Sequence, residues 1–129
     1  MTATGGRDDR SKTSGAVAED AAARALMDAG YRILGRNLRT RGGEIDILAT
    51  KAGRIAIVEV KARRTGGSAG RGEEALTPSK LKRVARAADS VLRAHGVGDR
   101  AREFLGVAVD LNSAGQAEAI RIVPVEETP

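Results

Sequence analysis

The sequence contains few of the residues on which several common kinds of site depend. Its 129 residues include no Cys, no Trp and a single His. Their scarcity excludes disulfides and thiolate metal sites and argues against zinc or histidine-based catalysis. Tyr31 and Phe104 are the only aromatic residues, too few for a base-stacking platform that binds single-stranded nucleic acid. The chain has neither a run of about eighteen apolar residues nor a signal-peptide pattern, so we expect a soluble, cytoplasmic protein.

The charge balance is basic. Lys and Arg number 22 against 17 Asp and Glu, which gives a formal net charge of +5 and a pI of about 10.2. Such a balance favours a polyanionic partner. The length suits one domain with a modest core. We expect a polar, disordered tail over residues 1–14, a nucleic-acid-binding domain over residues 15–125, and a short C-terminal tail over residues 126–129.

Residues 43–64 contain three charged residues inside apolar runs: Asp46, Glu59 and Lys61. A charge in an apolar strand is costly unless it is paired or binds a metal. The two runs read as strands joined by a two-residue loop at Ala52-Gly53, because Gly supplies the positive φ that such loops need. This register predicts the pairs Thr50–Ile55, Leu48–Ile57, Asp46–Glu59 and Glu44–Lys61.

The predicted Asp46–Glu59 pair indicates a metal site. Opposed side chains on paired strands have Cβ atoms about 5 Å apart, and two carboxylates at that distance repel unless a cation lies between them. Carboxylate oxygens suit Mg²⁺ or Mn²⁺ better than zinc, and such a metal lowers the pKa of a bound water. Lys61 would stand beside that water and orient the hydroxide or neutralise charge in the transition state.

The same residues resemble a known active site. Asp46, a gap of twelve residues and then Glu59-Val60-Lys61 resembles the core of PD-(D/E)xK nucleases. A longer set of segments is similar to the YraN family of small bacterial endonuclease-like proteins, and in layout to archaeal Holliday-junction resolvases. The resemblance covers roughly residues 15–110 and is carried by Gly30-Tyr31-Arg32-Ile33-Leu34, Arg36-Asn37-Leu38-Arg39, Gly43-Glu44-Ile45-Asp46 and Val58-Glu59-Val60-Lys61-Ala62-Arg63.

The resemblance implies further residue roles. Glu19, on the first helix, would be another metal ligand, and Val60 would offer its main-chain carbonyl; the alternative for Glu19 is a carboxylate that simply favours the helix dipole. Resolvase-like cutting of paired strands needs two sites, which a homodimer would supply. The chain departs from the family pattern at Glu103-Phe104-Leu105, where Arg-Phe-Asp is expected.

The remaining segments complete an α/β pattern. Helices are predicted over residues 16–29 and from Thr77-Pro78 to His95, and strands over residues 31–38, 101–111 and 119–123. A Gly-rich loop at residues 63–74 is expected to close over nucleic acid, with a plain surface loop as the alternative. This order predicts a restriction-endonuclease-like three-layer fold, with a central mixed five-stranded sheet flanked by helices.

Several basic residues are candidates for contacts with phosphates. Their alternative role is an ordinary solvated edge or surface. Lys80 is expected in the first turn of a helix, where a positive charge opposes the dipole and so suggests an anionic neighbour. The candidates are Arg36, Arg39, Arg63, Arg64, Arg71, Lys80 and Arg83.

The leading hypothesis is a Mg²⁺-dependent endonuclease that hydrolyses phosphodiester bonds of nucleic acid, with DNA as the expected substrate. A second hypothesis is a non-catalytic nucleic-acid-binding module that keeps the nuclease fold. A third is structural: the two carboxylates and Lys61 would form a buried ion-pair cluster, for example at a dimer interface.

Overall fold

The computed structural model describes residues 14–40, 43–64, 86, 88–96 and 100–125. Residues 1–13 of the predicted N-terminal tail lie outside these residues, whereas Ser14 already belongs to a helix. The predicted tail at residues 126–129, most of the Gly-rich loop and the helix start at Thr77-Pro78 also lie outside them, as do Arg71, Lys80 and Arg83. Residues 88–94 are helical and are called the 88–94 helix. The other elements are α1 (Ser14–Asp28), β1 (Arg32–Thr40), β2 (Gly43–Lys51), β3 (Arg54–Arg64), β4 (Arg102–Leu111) and β5 (Ala117–Val125).

Helix α1 forms because its sequence is rich in Ala and places small apolar residues on one side. Ala18, Ala22 and Leu26, spaced by four residues, are all buried. The helix ends in a Schellman motif, in which Tyr31 N–H donates to Leu26 O at 2.9 Å and Gly30 N–H donates to Met27 O at 3.0 Å. Gly30 has a φ of 100°, which confirms its predicted place just after the helix.

The sheet has the strand order β1-β2-β3-β4-β5. Strands β3 and β4 are parallel, and the other neighbours are antiparallel, so the predicted mixed five-stranded sheet is confirmed. The hairpin register is confirmed as far as Thr50–Ile55 and Leu48–Ile57. Ala52 and Gly53 have φ values of 54° and 81°, as expected for a type I′ loop whose twist matches that of the strands.

Both faces of the sheet are covered by helices. Ala56 and Val58 of β3 pack with α1 in one hydrophobic cluster, called the α1 cluster. Ile55 and Ile57 pack with the 88–94 helix in a second cluster, called the 88–94 cluster. A strand that is apolar on both faces must lie inside such a sandwich, and the domain is therefore an α/β fold with helices on either side of the sheet. None of the described helices is long and apolar enough to cross a membrane.

The departure at Glu103-Phe104-Leu105 fits this packing. Phe104 is buried in the 88–94 cluster and Leu105 in the α1 cluster, where an unpaired carboxylate would be costly. Glu103 accepts a hydrogen bond from the Tyr31 hydroxyl at 3.1 Å. Burial, together with Glu103, raises the pKa of Tyr31. The three residues therefore serve the core and the contact between β4 and the segment that follows α1.

Candidate active site

The candidate site lies where strands β2 and β3 separate. Within residues 43–64 their pairing ends at Ile47–Val58. Beyond this point the side chain of Asp46 replaces a main-chain partner: its Oδ2 accepts a hydrogen bond from Val60 N–H at 2.8 Å. A buried main-chain donor needs a partner, and at this fork the carboxylate supplies it. The predicted strand pairs Asp46–Glu59 and Glu44–Lys61 were therefore wrong.

The mismatch arises because β2 does not alternate strictly. Ile45 packs in the 88–94 cluster, whereas Ile47 packs in the α1 cluster. In a regular strand, residues i and i+2 face the same side of the sheet. The alternation of side chains is therefore interrupted between Ile45 and Ile47. This irregularity leaves Asp46 on the same side as α1, where strict alternation from Ile47 would have placed it on the other side.

Asp46 lines a cleft of about 370 Å³ between α1 and the sheet. Small residues at the start of α1 leave this space open, and Glu19 and Asn37 add polar side chains beside Asp46. Strand β3 closes the cleft with Val60 and Ala62. The full lining is Gly15, Ala16, Ala18 and Glu19 of α1, Asn37 of β1, Asp46 of β2, and Val60 and Ala62 of β3.

The environment of Asp46 favours its neutral form. Its pKa is raised from the ordinary 3.8 to about 6, chiefly because burial removes water from the carboxylate. The negative charges of Glu59, Glu44 and Glu19 raise it further, and the hydrogen bond from Val60 acts in the opposite direction. A half-buried carboxylate in a cleft with acidic neighbours is the kind of group on which catalytic and metal sites are built.

Glu19 is held firmly at the edge of the cleft. Its side chain is 12% exposed, and its Oε1 accepts a hydrogen bond from Arg36 Nη2 at 2.8 Å. Asn37 Nδ2 donates to the same oxygen at 2.9 Å. Arg36 also contacts Asp20 Oδ1 at 2.6 Å. The helix and the edge strand β1 are thus tied together at the residue that resemblance singled out as a metal ligand.

Glu59 and Lys61 form a pair further along β3. Lys61 Nζ lies 3.6 Å from Glu59 Oε2, and the two side chains are 38% and 12% exposed, respectively. Neither side chain lines the cleft of Asp46 and Glu19, although the negative charge of Glu59 contributes to the raised pKa of Asp46. Among the described residues, no three His, Asp or Glu side chains are grouped closely enough to hold a metal ion.

The donor set is nevertheless chemically suited to a hard cation. Asp46 and Glu19 present carboxylate oxygens to one cleft, the main chain of Val60 lies against Asp46, and Glu59 adds negative charge nearby. Carboxylates, carbonyls and water are the ligands that Mg²⁺ and Mn²⁺ take. A cation would also relieve the repulsion that raises the pKa of Asp46.

Comparison with known proteins places the chain in a family. The model of the uncharacterised protein family UPF0102 matches residues 18–113. The chain belongs to this family. A UPF0102 protein of Granulibacter bethesdensis is 44% identical over 115 residues, which is 88% of this chain and 70% of the relative. One from Geobacter sulfurreducens is 40% identical over 102 residues, 79% of each chain. One from Aquifex aeolicus is 54% identical over 74 residues, 57% of this chain and 68% of the relative.

The UPF0102 match confirms the YraN-like part of the predicted resemblance. It spans Glu19, Asp46, Glu59 and Lys61, the four charged residues predicted for the site. Of the basic residues predicted to contact phosphates, Arg36 is engaged by two carboxylates. The others that the structure describes lie along β1 and β3: Arg39 is 85% exposed and 3.7 Å from Glu44, Arg63 contacts Asp110 at 3.1 Å, and Arg64 is exposed.

Sequence reasoning did not place Asn37 in this UPF0102 site. The sequence pointed to Asn37 only as part of the segment Arg36-Asn37-Leu38-Arg39, yet it lines the cleft and donates to Glu19. Its φ of 53° is in the left-handed region, which Asn tolerates better than most residues. An Asn beside Arg36 in a strand pattern was the available signal, but its partner on α1 is 18 positions away.

Proposed function

We propose that this UPF0102 protein is a Mg²⁺-dependent endonuclease that hydrolyses phosphodiester bonds of DNA. The observation that carries the proposal is the Asp46 carboxylate, which sits at the fork of β2 and β3 with a pKa raised to about 6. A purely structural acid would be expected to have a cationic partner. Asp46 has a main-chain donor and three acidic neighbours, an arrangement that fits a group awaiting a cation.

In this proposal Asp46 and Glu59 hold the metal, with the Val60 carbonyl and Glu19 as further ligands. The metal would supply Lewis-acid activation of a water and of the scissile phosphate. Lys61 would touch the attacking water or the phosphate through its ammonium group, which lies 3.6 Å from Glu59. Its role would be to stabilise the charge that develops during hydrolysis.

We infer further that the fold is restriction-endonuclease-like and that the site is of the PD-(D/E)xK type. Three features support this inference. The sheet is mixed and lies between helices, the Asp is on the second strand and the Glu-x-Lys sequence on the third. The third strand also pairs in parallel with the fourth. Asp46, Glu59 and Lys61 therefore follow one another along one hairpin, in the order expected of the catalytic residues of such an enzyme.

Calorimetric titration of the full, metal-stripped chain with Mn²⁺ tests the proposal. We expect one site in the wild type and at least a tenfold loss of affinity in the double variant Asp46→Ala, Glu59→Ala. The reason is that the affinity of a site for a divalent cation depends strongly on the number of its carboxylate ligands. The matched control is Asp28→Ala, Asp89→Ala, which removes two exposed carboxylates outside the cleft and should bind as the wild type does. Equal affinity in both double variants would contradict the site.

Nucleic-acid binding is tested through its salt dependence. Arg39 and Arg64 are exposed candidates on β1 and β3. In chelator, so that no cleavage occurs, Arg39→Ala and Arg64→Ala should each reduce the slope of log affinity against log salt by about 1. Arg32→Ala, an exposed change near the other end of β1, should leave the slope unchanged. Equal slopes in all variants would place the DNA elsewhere.

The second candidate, a non-catalytic nucleic-acid-binding module, predicts a different set of results. It requires the salt dependence above without cleavage under Mg²⁺ or Mn²⁺. The exposed Arg39 and Arg64 favour binding in either case. A screen with linear, flapped and four-way-junction DNA separates the two candidates, because only the endonuclease yields products.

A further inference from the structure

We propose that Arg36 and Asn37 act as a clamp on Glu19, which fixes one carboxylate oxygen and presents the other to the cation in the cleft. We call these two residues the Arg36–Asn37 clamp. This inference rests on the proposed metal site and assigns positioning residues to it. Neither residue of the clamp would touch the metal or the substrate.

The contacts of Glu19 are strongly one-sided. Arg36 donates from Nη2 at 2.8 Å and from Nε at 3.2 Å, and Asn37 donates from Nδ2 at 2.9 Å. All three hydrogen bonds end on Oε1. Among the described residues, the hydrogen bonds and the ion pair of Glu19 leave Oε2 without a contact. A carboxylate held by three donors on one oxygen has lost most of its rotational freedom but keeps the second oxygen for a ligand.

Asn37 reaches Glu19 from an unusual backbone position. It lies between the strand pairs Arg36–Ile47 and Leu38–Ile45 and therefore opposite Asp46. Its φ of 53° is a conformation that costs free energy for a residue with a side chain. Glycine would adopt this backbone conformation without strain, but it has no side-chain amide to donate to Glu19. The choice of Asn is explained if the amide is needed where β1 passes the cleft.

Arg36 completes the clamp through a second carboxylate. Its Nη2 also lies 2.6 Å from Asp20 Oδ1, so the guanidinium bridges two adjacent residues of α1. This bridge keeps Arg36 in place against the cleft edge and offsets the negative charge that Glu19 brings near Asp46. Partners of this kind orient ligands and typically change metal affinity by about 10- to 100-fold when they are removed.

The decisive variant is Asn37→Gly, which keeps the left-handed backbone accessible and removes only the amide. Calorimetry with Mn²⁺ on the full chain should show an affinity about tenfold below that of the wild type. In a Glu19→Ala background the same change should have no further effect, because the residue on which the amide acts is gone. Ala52→Gly is the matched control, since it relaxes the same backbone conformation (φ 54°) in the hairpin loop, outside the cleft.

A merely structural tie between β1 and α1 predicts the opposite pattern. Asn37→Gly would then lower the melting temperature in chelator and leave Mn²⁺ affinity unchanged, which would overturn the clamp. An equal loss of affinity with and without Glu19 would overturn it too. If Asn37→Gly does not fold, Arg36→Lys serves instead: it keeps the charge, loses the forked donor, and should weaken Mn²⁺ binding only when Glu19 is present.

The outcomes separate this inference from the proposed function. If the wild type binds no Mn²⁺, or binds it independently of Asp46, the metal site itself is wrong. If Mn²⁺ binding depends on Asp46 but is the same in wild type and Asn37→Gly, the metal site stands and only the clamp fails.

Discussion

Replacing Lys61 with Ala should reduce DNA cleavage at least about 10²-fold while leaving Mn²⁺ affinity close to that of the wild type. A preorganised cationic donor aimed at developing charge typically contributes about 10²- to 10³-fold to the rate. Lys61 is suited to this part because Nζ lies 3.6 Å from Glu59 and the side chain is 38% exposed. Its ammonium group therefore lies near a proposed ligand and is accessible to a phosphate.

The measurement is a single-turnover cleavage assay with Mg²⁺ and with Mn²⁺ on linear, flapped and four-way-junction DNA. Arg54→Ala is the matched control, since it removes one exposed positive charge from the opposite end of β3 and should cleave at the wild-type rate. Lys61→Arg should remain well below wild type, because a guanidinium differs from a compact ammonium in shape and hydration. Wild-type cleavage by Lys61→Ala would remove Lys61 from the mechanism.

Such a variant also tests the alternative in which Lys61 and the carboxylates form a structural ion-pair cluster. A half-exposed pair at 3.6 Å is worth about 0–1 kcal/mol, since water screens it. Lys61→Ala should therefore alter the melting temperature little. A large loss of stability with unchanged DNA affinity would favour the structural cluster over the endonuclease.

The hairpin could be predicted because its determinants are local. Ala52-Gly53 sets the loop, and the apolar residues on either side set the register, so Thr50–Ile55 and Leu48–Ile57 pair as expected. The opposite faces taken by Ala56 and Val58 and by Ile55 and Ile57 also follow from alternation alone. Where neighbouring residues along the chain decide the structure, the sequence pattern was sufficient.

The fork at Asp46 could not be predicted from alternation. The change of side between Ile45 and Ile47 of β2 arises because Ile45 packs with the 88–94 helix and Ile47 packs with α1. These two helices are distant from each other in the sequence. The Val60 N–H then needs an acceptor, which Asp46 provides. Pattern reasoning selected Asp46 but assigned it the wrong strand partner, because it assumed an uninterrupted strand.

The surroundings of Glu19 illustrate the same limit. Arg36 was predicted as a phosphate contact from its charge, yet two carboxylates of α1 bind it. Asn37 was not predicted in the site because its role depends on a contact across the cleft. Charge identifies residues that can bind an anion, but only the packing of α1 against β1 decides which anion is nearest.

Replacing Asp46 with Asn should stabilise the metal-free protein near pH 8 by about 1–3 kcal/mol. The pKa of Asp46 is about 6 in the folded protein against an ordinary 3.8, so the folded state binds the proton more tightly than the unfolded state. Stability is therefore highest when Asp46 is protonated, and it is lost as the pH rises from about 4 to 6. A difference of about two pKa units corresponds to about 3 kcal/mol at most, and partial exposure reduces it.

Urea unfolding in chelator between pH 3 and pH 8 measures this effect. Asn keeps an oxygen that can accept the Val60 hydrogen bond, so Asp46→Asn should remove only the cost of the charge, and the two proteins should converge near pH 3. Asp110→Asn is the control: it weakens an ion pair with Arg63 at 3.1 Å and should give no stabilisation. Equal stability of wild type and Asp46→Asn at pH 8 would contradict the raised pKa.

The same stability measurement in the presence of Mn²⁺ connects this prediction with the proposed metal site. A cation that replaces the proton on Asp46 should stabilise the wild type as its concentration rises above the dissociation constant. It should stabilise Asp46→Asn far less, because a neutral amide is a weaker ligand for a hard cation. In the proposed enzyme, an acid that lowers the stability of the empty protein and raises that of the loaded one would be retained for binding, since proteins commonly give up stability at functional sites.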